Sequence, residues 1–251
     1  MKRLAEEWSI FLLAVQFMTR LPVRAEWSDA RMAATPRWYP AVGILVSGVA
    51  AIAYAAAALV FPPLLAVLLS TGVGVLLTGA LHEDGFADCC DGLGGGASPE
   101  RALEIMRDSR LGAYGALGIG LLLALKVASL AAFPAWVVPL ALIAGHALSR
   151  GGAVLVIATS RYLRSQGAGK PVAESDAGLP AALITSGLAL LPLAIWAPWA
   201  AFAGLLGLAI GHVAMRRAFE RRLGGYTGDC LGAVQQTGET GFYLGCLAGL
   251  A

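Results

Sequence analysis

Asp84, Asp88 and Asp91 stand at i, i+4 and i+7 in the segment LHEDGFADCCDGL, residues 81–93. On a helix the three carboxylates fall within roughly 60° of one another and share one face. So much like charge is costly beside a membrane unless a cation sits among the oxygens. No Lys or Arg lies inside the segment to pair them, and Gly85, Ala87 and Gly92 leave room for a ligand. An all-oxygen donor set suits Mg2+, which keeps several waters and is completed by substrate phosphates. The spacing points to an enzyme that holds Mg2+ against a diphosphate; the plainer alternative is a solvated acidic helix face. Zinc fits less well. The spacings from His82 to Cys89 and Cys90 match no usual ligand cluster, and adjacent cysteines point about 100° apart on a helix. Glu83 lies off the aspartate face and is expected at the surface.

Further charged groups could handle phosphate. Arg107, Asp108, Ser109 and Arg110 place two guanidiniums around a carboxylate and a hydroxyl, able to clamp phosphate oxygens with Asp108 as another metal ligand. They could equally form a self-compensating surface cluster. Lys126 and Arg150 interrupt apolar stretches, where a cation is expensive and faces the bundle interior. Arg150 shares a helical face with His146, and Lys126 could instead snorkel to the interface. SRYLRSQGAGK (160–170) sets Arg161, Arg164 and Lys170 around Gly167 and Gly169, and GGYTGDCLGAVQQTGE (224–239) carries Asp229 and Glu239. Glycine-rich segments can wrap phosphates through backbone N–H groups, although neither is a Walker or dinucleotide fingerprint.

The elements that must position these groups are membrane helices. Of the 251 residues, 58% are hydrophobic and only 14% charged, with mean hydropathy +0.72. Those values belong to an all-α integral membrane protein. A net charge of +2 leaves no nucleic-acid footprint. The four cysteines include no C-x-x-C pair and read as reduced thiols. Spans fall near 40–61, 64–81, 113–133, 137–159, 179–196 and 198–215, each close to the ~20 residues a bilayer requires. Residues 4–20 read as an interfacial or partly inserted helix, and Glu6 and Glu7 argue against a removable signal peptide. The last 21 residues begin polar and end in an apolar stretch too short to span alone. The whole reads as one domain, a polytopic bundle of about six to seven transmembrane helices with short interfacial helices. The 64–81 span is expected to run on as helix into the aspartate motif, with Ser98 and Pro99 starting another helix beyond it. Connections at 62–63, 134–136 and 197 are tight and uncharged, whereas the others are long. Apart from Lys126 and Arg150, every Lys and Arg lies on the long-loop side, which places the motif in the cytoplasm.

Taken together, FMTRLPV (17–23), HEDGFADCCDGLGGG, LEIMRDSRLGAYG, the Ser149-Arg150-Gly151 triplet, RYLRSQGAGK and GGYTGDCLGAVQQTGE resemble, in order, the signature segments of the cobalamin synthase family. These are membrane adenosylcobinamide-GDP ribazoletransferases, and the likeness covers essentially the whole chain. The resemblance implies that α-ribazole or its 5′-phosphate attacks the β-phosphate of adenosylcobinamide-GDP through a ribose hydroxyl. GMP leaves and the nucleotide loop of adenosylcobalamin closes, in a Mg2+-dependent step at the cytoplasmic face of the bacterial inner membrane. In those terms Asp84, Asp88, Asp91 and Asp108 hold Mg2+, and Asp88 or Asp91 accepts the hydroxyl proton. Arg107, Ser109, Arg110, Lys126, Arg150, Arg161, Arg164, Asp229 and Glu239 bind substrate. The implied partners are the two small molecules and the lipid bilayer, with no nucleic acid; a homo-oligomer is compatible. Glu83 departs from the family, where an apolar residue is more usual. The competing enzyme is a CDP-alcohol phosphotransferase, but Asp88-x-x-Asp91-Gly92 lacks that family's following Ala-Arg and second aspartate pair. An ion transporter would need midplane carboxylates, and no inverted repeat is visible.

Overall fold

Each apolar stretch becomes a long helix in the computed structural model, which describes residues 2–164, 169–173 and 178–251. In chain order these are α1 (Lys2–Met18), α2 (Asp29–Ala34), α3 (Tyr39–Ala58), α4 (Pro63–Thr78), α5 (Leu81–Gly95), α6 (Pro99–Ile105), α7 (Ala113–Ala131), α8 (Val137–Thr159), α9 (Lys170–Ala173), α10 (Leu179–Trp196), α11 (Pro198–Leu223) and α12 (Gly228–Leu250). Among the described residues five are long and apolar enough to cross a membrane, or six if α4 and α5 count as one bent span. The chain is therefore an all-α, multi-pass membrane protein. The segments that follow α5, α8 and α11 meet, with Tyr226 bonded to Arg161 and Leu163, and Arg222 at the end of α11 bonded to Gly96.

Two elements depart from expectation. The fourth helix does not run on into the aspartate motif. It stops at Thr78, and α5 sets off at 88° to it. Gly79 and Ala80 turn the corner in the left-handed region, at φ 67° and 60°. The N–H of Ala80 bonds back to the Val75 carbonyl and that of Arg20 to Leu77, so the end of α4 is closed from both sides. As a result α5 lies across the end of the bundle rather than along its axis.

The C-terminal segment is the second departure. Its polar start and short apolar end form one continuous 23-residue helix, α12, about 34 Å long at 1.5 Å per residue. Its hydropathy is low because it carries Gln235, Gln236 and Glu239, and all three are buried within the protein. Along α11, Gly204, Gly207 and Gly211 face Gly241, Gly245 and Thr237 of α12, so the two backbones touch. A Cβ at Gly207 would strike the Gly241 carbonyl oxygen, and one at Gly245 the Ala203 carbonyl oxygen. Small-residue seams of this kind drive helix association where lipid supplies no hydrophobic force. Gly241→Val should therefore wedge the pair apart and sharply lower folded yield and thermal stability in detergent. Gly187→Val, at an exposed α10 site with open space around it, should leave both near wild type. Equal tolerance at the two positions would count against the seam.

Candidate active site

The aspartate stripe descends from solvent into the fold. On α5, Asp84 is exposed, Asp88 half-buried and Asp91 buried. Gly85 lets α5 cross α12 closely, since a Cβ there would sit 3.0 Å from the Asp229 Cα and carbonyl oxygen. One turn on, Gly232 packs against His82 in the same way. That crossing brings Asp84 and Asp229, far apart along the chain, to the rim of one cavity of about 190 Å³. Its wall is apolar and aromatic (Phe17, Met18, Tyr39, Tyr162 and Tyr226), and its polar side carries His82 and Arg150 with the two aspartates.

The two glycine-rich loops meet at this cavity. Leu163 donates its N–H to the Tyr226 carbonyl (3.0 Å), and Tyr226 donates to Arg161 (2.8 Å). The Tyr162 and Tyr226 rings lie 5.3 Å apart. Arg164 pairs with Asp229 Oδ2 at 2.6 Å, and Thr227 Oγ1 donates to the same oxygen. Arg161 is exposed beside them. Gly167 lies outside the described residues.

Asp91 is differently employed. Its two oxygens accept the N–H groups of Gly112 and Gly115, each at 2.8 Å, at the start of α7. Gly112 is the N-cap of α7 and has no side chain to cap with, so the carboxylate of α5 does it from across the interface. A Cβ at Gly112 or Gly115 would collide with that carboxylate. On this flank of α5 an open cleft of about 380 Å³ is lined by Asp91, Arg101, Glu104, Asp108, Arg110 and Tyr114, among others. Asp108 and Arg110 form a two-pronged pair at 3.0 and 2.5 Å, and Arg110 draws the Asp108 carboxyl down to about 2. Arg107 and Ser109 are exposed on the same loop.

The intramembrane cations sit beneath the main cavity. Lys126 does not snorkel: it is 5% exposed and pairs with Glu239 at 2.8 Å, also donating to Gln236 at 2.7 Å. Glu239 is buried as well and accepts from Gln235 at 2.5 Å and Tyr243 at 3.2 Å. Glu83 turns inward rather than to the surface, because its flank of α5 faces α12. Gln236 donates to its Oε1 at 2.8 Å, and its buried Oε2 has no partner among the described residues. Arg150 is 2% exposed and touches both this network and the cavity above it.

These positions bear on a metal in a specific way. Among the described residues no three His, Cys, Asp or Glu side chains converge closely enough to cage an ion. Burial, with Asp84, Asp229 and Asp91 nearby, pushes the Asp88 carboxyl up to about 7. Acidic groups that repel one another at an open cavity fit a cation of the Mg2+ kind, which takes one or two carboxylates and leaves its other positions to water and substrate phosphate.

A family profile described as cobalamin-5-phosphate synthase matches residues 10–247. The chain belongs to this family. Relatives in the cobalamin-5-phosphate synthase family include one from Leptothrix cholodnii, 45% identical over 100% of this chain and 99% of its own length. One from Ralstonia pickettii is 41% identical over 99% and 98%, and one from Shewanella frigidimarina 40% identical over 96% and 94%. All three carry the name adenosylcobinamide-GDP ribazoletransferase. No solved structure matches the chain.

Of the residues singled out from sequence, Asp84, Arg150 and Asp229 meet at one cavity, Arg164 pairs with Asp229 on its rim, and Asp88 lies on the same stripe. Asp91, Asp108 and Arg110 border the cleft on the other flank, and Lys126 and Glu239 lie below. Sequence reasoning passed over Tyr162, Tyr226 and Gln235. The tyrosines stand inside the two glycine-rich segments, and aromatic residues there were the available signal.

Proposed function

We propose that the chain is an adenosylcobinamide-GDP ribazoletransferase, joining α-ribazole or its 5′-phosphate to adenosylcobinamide-GDP with release of GMP. The observation that carries this is the cavity where Asp84, Asp229 and Arg150 converge from three separate helices beside an aromatic wall. The aromatic wall suits the flat heterocycle of the ribazole, and Arg150 supplies fixed positive charge for diphosphate oxygens. Asp84 and Asp88 are the residues that would hold Mg2+, with Asp229 at their side; when bound, the ion neutralises diphosphate charge and eases departure of GMP. Asp91 is left out of that set because both its oxygens already serve α7. The proton of the attacking hydroxyl falls to Asp88, whose half-buried carboxylate lies on the same stripe. Arg101 and Arg110, on the far flank of α5, offer charge for the rest of the nucleotide. The distribution of Lys and Arg supports the reading that this end of the bundle faces the cytoplasm, and a location in the inner membrane is part of the same proposal.

Purified protein in detergent, given adenosylcobinamide-GDP, α-ribazole 5′-phosphate and Mg2+, should release GMP and form cobalamin 5′-phosphate in equal amounts by mass spectrometry. EDTA should stop both. Folded protein that yields no product would sink the assignment, and turnover undiminished in EDTA would remove the metal.

A further inference from the structure

Below the main cavity, four helices contribute to a charged cluster walled off from it by Arg150 and His82, which line both spaces. The lower chamber is about 30 Å³, room for one or two waters. Three buried atoms of residues that line it have no partner among the described residues: Arg150 Nε, Glu83 Oε2 and Gln235 Oε1. A donor and two acceptors together match what water can serve, and the chamber's size suits water rather than a larger ligand.

Arg150 is held in this pocket by one histidine. Its Nη1 donates to the His146 carbonyl at 3.1 Å and approaches His146 Nδ1 at 3.2 Å. Guanidinium can only donate. Nδ1 must therefore present its lone pair, and the neutral ring keeps its proton on Nε2. That nitrogen faces Glu239 Oε1 at 3.5 Å. The same oxygen receives Lys126 at 2.8 Å and Tyr243 at 3.2 Å, so the carboxylate is paired with a cation and offers Nε2 an acceptor. The opposite tautomer would aim a proton at Arg150 and a lone pair at a carboxylate, two repulsions in place of two attractions. Arrangements in which a carboxylate fixes a histidine tautomer are a general way to aim the group on the ring's far side.

We propose that Glu239 and His146 are positioning residues that hold the Arg150 guanidinium toward the substrate diphosphate, by fixing His146 as the Nε2–H tautomer. Glu239 then acts through Arg150 and does not touch substrate. Lys126 balances Glu239, and the pair costs the buried site no net charge. The proposal rests on the reading of Arg150 as a diphosphate ligand, and the experiment separates the two.

The discriminating variants are His146→Asn and His146→Gln. An asparagine carbonyl oxygen can stand where Nδ1 stood and still accept from Arg150, whereas a glutamine amide reaches the Nε2 position instead. His146→Gln, and the charge-balanced pair Lys126→Met with Glu239→Leu, should raise KM for adenosylcobinamide-GDP by about 10- to 100-fold, as lost orienting partners commonly do. Arg150→Ala should match them, while KM for α-ribazole 5′-phosphate stays within about twofold of wild type, the mark of lost ground-state binding to one substrate. His146→Asn should recover most of the difference. Equal losses for both substrates, or equal damage from Asn and Gln, would make the cluster merely structural and overturn the proposal. Independently of turnover, ¹⁵N-histidine NMR of the detergent-solubilised chain, with His146 assigned by its absence in His146→Asn, should show a neutral Nε2–H ring. An Nδ1–H ring or an imidazolium would also overturn it. If the tautomer is as expected but wild-type protein shows no turnover, the substrate assignment fails and the positioning geometry stands.

Discussion

Asp84→Asn keeps the shape of the side chain, removes its charge, and should lower turnover at least about a thousandfold, which corresponds to roughly 4 kcal/mol of lost transition-state stabilisation. Asp84 is exposed at the cavity rim, so the replacement removes no packing, and the protein should insert and purify as wild type does. Asp88 explains why one charge matters so much. Its carboxyl is pushed up to about 7 by burial and by neighbouring acids that include Asp84, a repulsion that a cation would relieve. If the stripe holds Mg2+ as proposed, Asp84→Asn takes away its outermost carboxylate and would leave Asp88, with Asp229 nearby, to hold the ion with substrate. The checks are kcat at saturating Mg2+ and the Mg2+ concentration that gives half-maximal rate. A near-normal rate at saturating Mg2+ would eliminate Asp84 as a ligand.

Asp91→Ala fails by a different route, with loss of thermal stability as well as activity. The wild-type carboxylate accepts two backbone N–H groups at the start of α7. Charged hydrogen bonds of this sort are worth about 1.5–3 kcal/mol each, and the orphaned donors are left facing a cavity. Losing them frees α5 from α7 and unseats the whole stripe. Asp91→Asn retains one acceptor oxygen but puts an N–H donor against the other, so it should fall between wild type and Ala. In neither variant should the half-maximal Mg2+ concentration, measured on the folded fraction, move as far as in Asp84→Asn. A large shift in Mg2+ requirement with unchanged melting temperature would return Asp91 to the ligand set.

The contrast between these two aspartates shows what the sequence could and could not disclose. Their common stripe was legible because helical periodicity is local and needs only the order of residues. Their separate tasks were not. The role of Asp91 depends on Gly112 and Gly115 having no side chains, and that of Asp84 on Gly85 admitting α12. Both are facts about close approach between distant segments. The spans at α7, α8 and α10 were legible for the same local reason, as uninterrupted apolar stretches between turn signals. The last helix escaped because hydropathy counts Gln235, Gln236 and Glu239 against burial, whereas here each finds a partner inside the protein. Glu83 lies off the aspartate face, which alone does not tell solvent from a neighbouring helix; its partner Gln236 stands on α12. The corner between α4 and α5 had one cue, Gly79; its second residue, Ala80, gave none.

That second residue bears on how the acidic helix is aimed. Among the described residues, Ala80 is the one side-chain-bearing position in the left-handed region, a conformation that brings its Cβ against a carbonyl oxygen and costs about 1 kcal/mol. Relaxation of the corner toward ordinary helix would swing α5 upright and carry Asp84 away from Asp229. The strain persists because the carboxylate clasp on α7 and the bond from the Arg222 guanidinium to the Gly96 carbonyl hold the far part of α5, while the glycine crossing on α12 holds its first turns beside the corner. The acidic helix thus works as a sprung lever, pinned at its free end and loaded at its hinge.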